Sequence, residues 1–193
     1  MISARLGHFL DGPLAPIARR ITVSPNVLTI VGFLISTVAA VSIPFSLRTG
    51  GFLILLGGAF DMLDGIVART NGKNTRFGAL LDSTLDRYSD AFLFIAVAWH
   101  FFELQDLAGV LLTVGALVGA LLISYVRARA EGLGISCHVG LIERPERIVL
   151  LALGCLTGWL FAIMGALFAL SHITVIQRIL HVRCALGKEP AGT

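Results

Sequence analysis

Four aspartates stand close enough along the chain to act on one substrate. Asp61, Asp64, Gly65 and Ala68 are spaced i, i+3, i+4, i+7, which is one face of a helix. Gly78, Asp82 and Asp86 follow at i, i+4, i+8 and predict the matching face of a second helix. Only the short polar stretch from Thr70 to Arg76 separates the two, so the helices are expected to be antiparallel neighbours with both carboxylate pairs in one cleft. Four carboxylates in a cleft repel unless they are protonated or neutralised by cations. Two divalent ions would supply that charge, and ligation by oxygen alone favours Mg²⁺ or Mn²⁺ over zinc. Paired ions of this kind activate an attacking oxygen and stabilise phosphoryl charge. Capping a helix, or pairing with Arg69, Arg76 or Arg87, accounts for one such aspartate more readily than for all four.

Arginines form a second constellation. Tyr125-Val126-Arg127-Ala128-Arg129-Ala130-Glu131 closes one apolar segment, Glu143-Arg144-Pro145-Glu146-Arg147 opens the next, and Gln177-Arg178 lies near the end of the last. Guanidiniums brought together grip a phosphate through paired hydrogen bonds. The same arginines also fit a simple excess of positive charge at one membrane face, or ion pairs with Glu131, Glu143 and Glu146.

The elements that must carry these groups are apolar. The 193 residues are 56% hydrophobic and 14% charged, with a mean hydropathy of +0.87; a soluble domain carries roughly a quarter charged residues. A bilayer core needs about 20 apolar residues per helix, and Val27–Leu47, Gly51–Arg69, Phe77–Phe102 and Leu107–Arg129 qualify. The stretch from Ile148 to Ile176 is too long for one span. Gly158 and Trp159 divide it into a short fifth span, starting near Pro145, and a sixth ending near Leu186. With six spans, every one of the fifteen basic residues except Arg48 falls on the side of the N-terminus, so both termini and the aspartates are expected to be cytoplasmic. A five-span arrangement would place Arg178, Arg183 and Lys188 outside. Met1 to Arg20, broken by Asp11, Gly12, Pro13 and Pro16, reads as an interfacial amphipathic segment, not a cleavable signal. The expected fold is therefore an all-α integral membrane protein: residues 1–24 at the interface, a six-span domain over 25–186, and a cytoplasmic tail over 187–193.

Asp61-x2-Asp64-Gly65-x2-Ala68-Arg69-x8-Gly78-x3-Asp82-x3-Asp86 resembles the signature of the CDP-alcohol phosphatidyltransferase family, with every defining position filled. That family is also built from six spans behind an interfacial helix, so the likeness covers nearly the whole chain. The resemblance implies that Asp61, Asp64 and Asp82 hold two divalent cations. Asp86 would complete the ligand set of the second cation and act as general base toward the attacking hydroxyl. It also implies that Gly65 and Arg69 lie against the diphosphate of a CDP-lipid, with Gly72, Lys73 and Thr75 nearby. The hydroxyl would attack the lipid-side phosphorus and CMP would leave. Pro25-Asn26-x-Leu28-Thr29 resembles the family's entry to its first span. Asn26 is a nucleotide candidate there, although Ser24 as N-cap and Pro25 as first helical residue explain the same stretch.

The arginine segments look like the prokaryotic inositol-phosphate branch of that family. By this resemblance Arg127, Arg129, Arg144 and Arg178 would bind the phosphate of an acceptor polyol, inositol 1-phosphate above all. The donor would be CDP-diacylglycerol or CDP-archaeol, and the protein would act as a homodimer in the cell membrane. Glycerol 3-phosphate would suit the arginines as well. A cation transporter is a reading of another class, but its acidic groups should sit at mid-membrane with a counterpart on the other side. A net charge of +3, with no basic stretch interleaved with aromatics, excludes nucleic acid as a partner. Cys137, Cys155 and Cys184 read as free thiols; His172 and His181, nine apart on the last helix, have no carboxylate at ligand spacing, and none of the five histidines is expected to hold a metal.

Overall fold

The computed structural model describes residues 23–72 and 75–187, and all its regular structure is helical. Six helices follow one another: α1 (Pro25–Ser42), α2 (Leu47–Thr70), α3 (Arg76–Glu103), α4 (Leu107–Glu131), α5 (Arg144–Thr157) and α6 (Leu160–Leu186). The expected interfacial segment lies outside the described residues, as does the tail beyond Gly187. Among the described residues, α1, α2, α4 and α6 are long and apolar enough to cross a membrane. At 28 residues α3 is longer still, but it carries Asp82, Asp86, Arg87 and Asp90 within its length. The surface is apolar to a degree that water does not tolerate in a monomer: Phe45 is 86% exposed, and Phe52, Ile95 and Leu111 are largely exposed too.

Local chemistry explains where the helices begin and end. The first turn lies at residues 43–46, earlier than the hydropathy pattern predicts. Ser46 caps α2, its hydroxyl accepting from the Thr49 amide, so Leu47 and Arg48 belong to the second helix. Thr75 caps α3 by accepting from the Gly78 amide at 2.9 Å. A capping box opens α5, in which the Glu146 carboxylate accepts from the Glu143 amide, with Pro145 in the first turn. Gly158, at φ +81°, ends α5 in the left-handed conformation, and Trp159 starts the last helix.

The helices form a closed ring in the order α1, α2, α5, α6, α4, α3, and back to α1. This corrects the expectation that the two aspartate helices pack as neighbours, because α1 stands between α2 and α3. The reason is steric. On α1, Thr29, Gly32, Ser36, Ala39 and Ala40 form a buried stripe of small residues, and it meets Gly57 on α2, where an added Cβ would come within 2.6 Å of the Ser36 hydroxyl. Helix backbones can approach so closely only across small residues. The α4–α6 contact works in the same way: Gly119 leaves room for Ser171, and the His172 ring lies 3.2 Å from the Gly115 carbonyl. The main apolar core gathers Ile54, Phe94, Val97, Leu151, Met164 and Leu167. One end of the ring is left open and polar.

Candidate active site

At that polar end α2 contributes Asp61 and Asp64, and α3 contributes Asp82 and Asp86 one helical turn apart. One carboxylate oxygen from each of Asp61, Asp64 and Asp82 lies within 4.8 Å of the others. Asp64 is only 5% exposed. Its Oδ2 has no hydrogen-bond partner, while the Thr29 hydroxyl sits beside the carboxylate. A buried, unpartnered anionic oxygen among converging carboxylates fits a hard divalent cation with oxygen ligands. Asp86 is outside this trio but adjoins it, with its carboxyl in hydrogen-bond contact with Asp61. Its Oδ1 lies 3.1 Å from Nη1 of Arg144, and the same nitrogen also donates to Asp61.

Beside the carboxylates opens a cavity of about 1020 Å³ whose walls come from α2, α3, α4, α5 and α6. Arg127, Arg144 and Arg178, grouped by sequence as acceptor ligands, all line it. They differ in what already holds them. Arg127 pairs with Glu131 at 2.9 Å near the solvent, whereas Arg144 is fixed among aspartates. Arg178 is 2% exposed. It donates to the carbonyls of Ile123 (2.7 Å) and Val139 (2.9 Å) and stands 3.5 Å from Glu143. Arg129 is exposed and is not part of the lining. Two residues beyond Arg127, it is turned about 200° around the helix axis, which sets it apart from the other three.

The nucleotide candidates cluster where α1 and α2 meet the start of α3. Arg69 lines the cavity and lies over Gly65, its Nη1 only 3.2 Å from where a Cβ would project. Asn26 rests against Gly78, whose Cβ would meet its Oδ1 at 2.9 Å. Gly72 takes φ +63° in the turn, and Thr75 is engaged as the cap of α3. Lys73 lies outside the described residues.

Sequence reasoning passed over Asp90 and, having grouped Arg147 with the arginine cluster, gave it no role. Asp90 continues the series Asp82, Asp86 by one more turn and pairs with Arg147 at 2.7 Å, both residues almost wholly buried. The spacing of the aspartates was a usable signal for Asp90. Nothing local marks Arg147 as its partner. His138 also lines the cavity.

Three comparisons bear on this geometry. The model of the family described as CDP-alcohol phosphatidyltransferase matches residues 22–182. The archaetidylinositol phosphate synthase of Methanothermobacter thermautotrophicus is 42% identical over 182 residues, covering 91% of this chain and 89% of its own. The crystal structure of Mycobacterium tuberculosis phosphatidylinositol phosphate synthase with CDP-DAG bound superposes with a TM-score of 0.82 at 35% identity, covering 93% of this chain and 98% of its own. A second structure of that enzyme, in complex with manganese and citrate, has a TM-score of 0.80 at 36% identity and covers 90% and 88%.

Proposed function

Because this chain belongs to the CDP-alcohol phosphatidyltransferase family, we propose that it transfers a phosphatidyl-type group from a CDP-lipid to inositol 1-phosphate, with release of CMP. The observation that carries this reading is the meeting of Asp61, Asp64 and Asp82 beside a cavity lined by Arg127, Arg144 and Arg178. Relatives named for inositol phosphate lipids support the acceptor.

Each residue has a part in the reaction. Asp61, Asp64 and Asp82 hold two divalent cations, Mg²⁺ or Mn²⁺, with Asp86 completing the second site. When bound, the cations offset phosphoryl charge and lower the cost of bringing two anionic substrates together. Arg69, Gly65, Asn26, Gly72, Lys73 and Thr75 take the nucleotide and its diphosphate. Arg127, Arg144 and Arg178 grip the acceptor's phosphate and present its hydroxyl to the lipid-side phosphorus. Asp86 takes the hydroxyl proton at a carboxylate oxygen, and Arg144, 3.1 Å away, orients that carboxylate. The acceptor oxygen forms the new P–O bond. The bond from that phosphorus to CMP breaks, and CMP leaves with the electron pair.

We place the polar end and both termini on the cytoplasmic side of the cell membrane, with all six helices crossing it. Residues 25–186 form the catalytic domain. A homodimer is the assembly that the family resemblance implies. The test is CMP release from a CDP-lipid with a panel of acceptors. Inositol 1-phosphate should turn over fastest. Faster turnover with glycerol 3-phosphate would change the acceptor, and no CMP with any acceptor would overturn the reading.

A further inference from the structure

The reaction as derived leaves one buried pair of charges without a part. Asp90 is 4% exposed and Arg147 is 2% exposed, and Arg147 Nη2 donates to Asp90 Oδ2 at 2.7 Å. Apolar residues of the same volume often serve stability as well as a buried ion pair does, or better. Stability alone is therefore a weak reason for charges to stand here.

Their neighbour supplies a stronger one. Arg144 and Arg147 sit three residues apart at the start of α5, and Asp86 and Asp90 four apart on α3, so the two pairs stack as rungs. The outer rung is Arg144 with Asp86 at 3.1 Å, and the inner rung is Arg147 with Asp90. A diagonal joins them, with Arg144 Nε 3.4 Å from Asp90 Oδ1. Both of those atoms are buried and neither has a hydrogen bond. The diagonal is thus an electrostatic hold on the rear of Arg144, while its Nη1 faces Asp61 and Asp86. Because α3 and α5 are not neighbours in the ring, these rungs reach across the cleft itself.

We propose that Asp90 is a positioning residue for the acceptor: countered by Arg147, it aims the Arg144 guanidinium between the carboxylates and the acceptor's phosphate. This rests on the reading of the cavity as the acceptor site. Asp90 and Arg147 both border the cavity, but with 4% and 2% of their surface exposed they offer a substrate little contact, and Asp90 acts through Arg144. Its removal therefore weakens the grip on the acceptor and leaves the grip on the CDP-lipid.

The experiment uses the full chain in detergent or lipid. It measures thermal midpoint, KM for each substrate, and calorimetric binding of inositol 1-phosphate. Asp90→Asn alone would strand Arg147, so the principal variant is Asp90→Asn with Arg147→Gln, which removes both buried charges, keeps the shape of Asp90 and leaves a shorter polar amide at 147. We expect a thermal midpoint and a CDP-lipid KM near those of the unmodified protein. Acceptor KM should rise about tenfold or more, the size expected for a charge-assisted contact, with inositol 1-phosphate binding weakened to match. Arg144→Gln should give a similar loss, and combining it with the pair should add little. An unchanged acceptor KM in a folded double variant overturns the proposal. So does a parallel rise in both KM values with a lowered midpoint, which would make the rungs a tether between helices. If the double variant does not fold, Asp90→Glu decides: it keeps the charge but displaces it, and an unaltered acceptor KM again overturns the proposal. The cavity reading fails separately, if Arg144→Gln and Arg127→Ala both leave inositol 1-phosphate binding intact.

Discussion

Arg178 and Ile123 are joined by a hydrogen bond of 2.7 Å from guanidinium Nη1 to the backbone carbonyl, near the polar ends of two helices that cross on glycines. From the same side chain Nε reaches Val139 in the segment between α4 and α5. Thr174, one turn earlier on α6, accepts from the Leu141 and Ile142 amides. One face of α6 thus fixes the wall of the cavity before any substrate arrives.

Replacing Arg178 should for that reason damage the fold as well as the chemistry. Arg178→Ala removes the donor that ties the Ile123 and Val139 carbonyls together beside Glu143, and a buried hydrogen bond from a charged group is worth about 1.5–3 kcal/mol. The expected result is a clear fall in thermal midpoint and faster proteolysis within residues 132–143. A variant as stable as the unmodified protein but defective in acceptor use would instead make phosphate binding the whole role of Arg178.

Asp86 should separate from the other three aspartates in binding experiments. It is the one aspartate given the proton as well as a share of a cation site, so Asp86→Asn is expected to retain CDP-lipid binding and the site held by the trio while turnover falls by about 10²–10⁴-fold, the range for loss of a general base. Asp64→Asn should lose Mn²⁺ binding and turnover together. Loss of Mn²⁺ binding in both variants would show Asp86 to be primarily a ligand.

Thorough chelation should abolish CMP release, and Mg²⁺ or Mn²⁺ should restore it. Turnover that survives chelation would remove the cations from the reaction and leave the unpartnered Asp64 oxygen without an explanation.

The two arginines at the end of α4 should differ. Arg127→Ala is expected to raise acceptor KM by about tenfold or more, because Arg127 lines the cavity. Arg129→Ala should leave acceptor KM nearly unaltered. Kinetics of both variants with inositol 1-phosphate settle the matter, and a larger effect at Arg129 would reverse the assignment.

The order of helices, the division at Gly158 and Trp159, and the meeting of Asp61, Asp64 and Asp82 were all legible in the sequence, because each rests on spacing within one or two helices. What was not legible depends on pairs far apart in the chain. The wedge of α1 between α2 and α3 follows from Gly57 meeting Ser36, and hydropathy does not encode such a contact. Arg147 finds Asp90 across 57 residues. Arg129 is different: the helical rotation from Arg127 was available in the sequence and argues against placing both in one pocket. The shift of the first turn to residues 43–46 reflects the capping hydroxyl of Ser46, a short-range effect that a hydropathy window averages away.

The fifth helix has 14 residues and is therefore about 21 Å long, roughly 9 Å less than the hydrocarbon core it would face as one of six spans. A lipid bilayer meeting such a deficit thins or admits water around the shorter element. Since Arg144 opens this helix, the thinned region would lie directly above the carboxylates. Solvent would reach down to a soluble polyol there, at a depth where a lipid's phosphate need not rise out of its own layer. The length of one helix would thus set the level at which two substrates of opposite solubility meet. Bilayer thickness then becomes a variable of the reaction, and turnover in vesicles should fall as the acyl chains of the host lipid are lengthened.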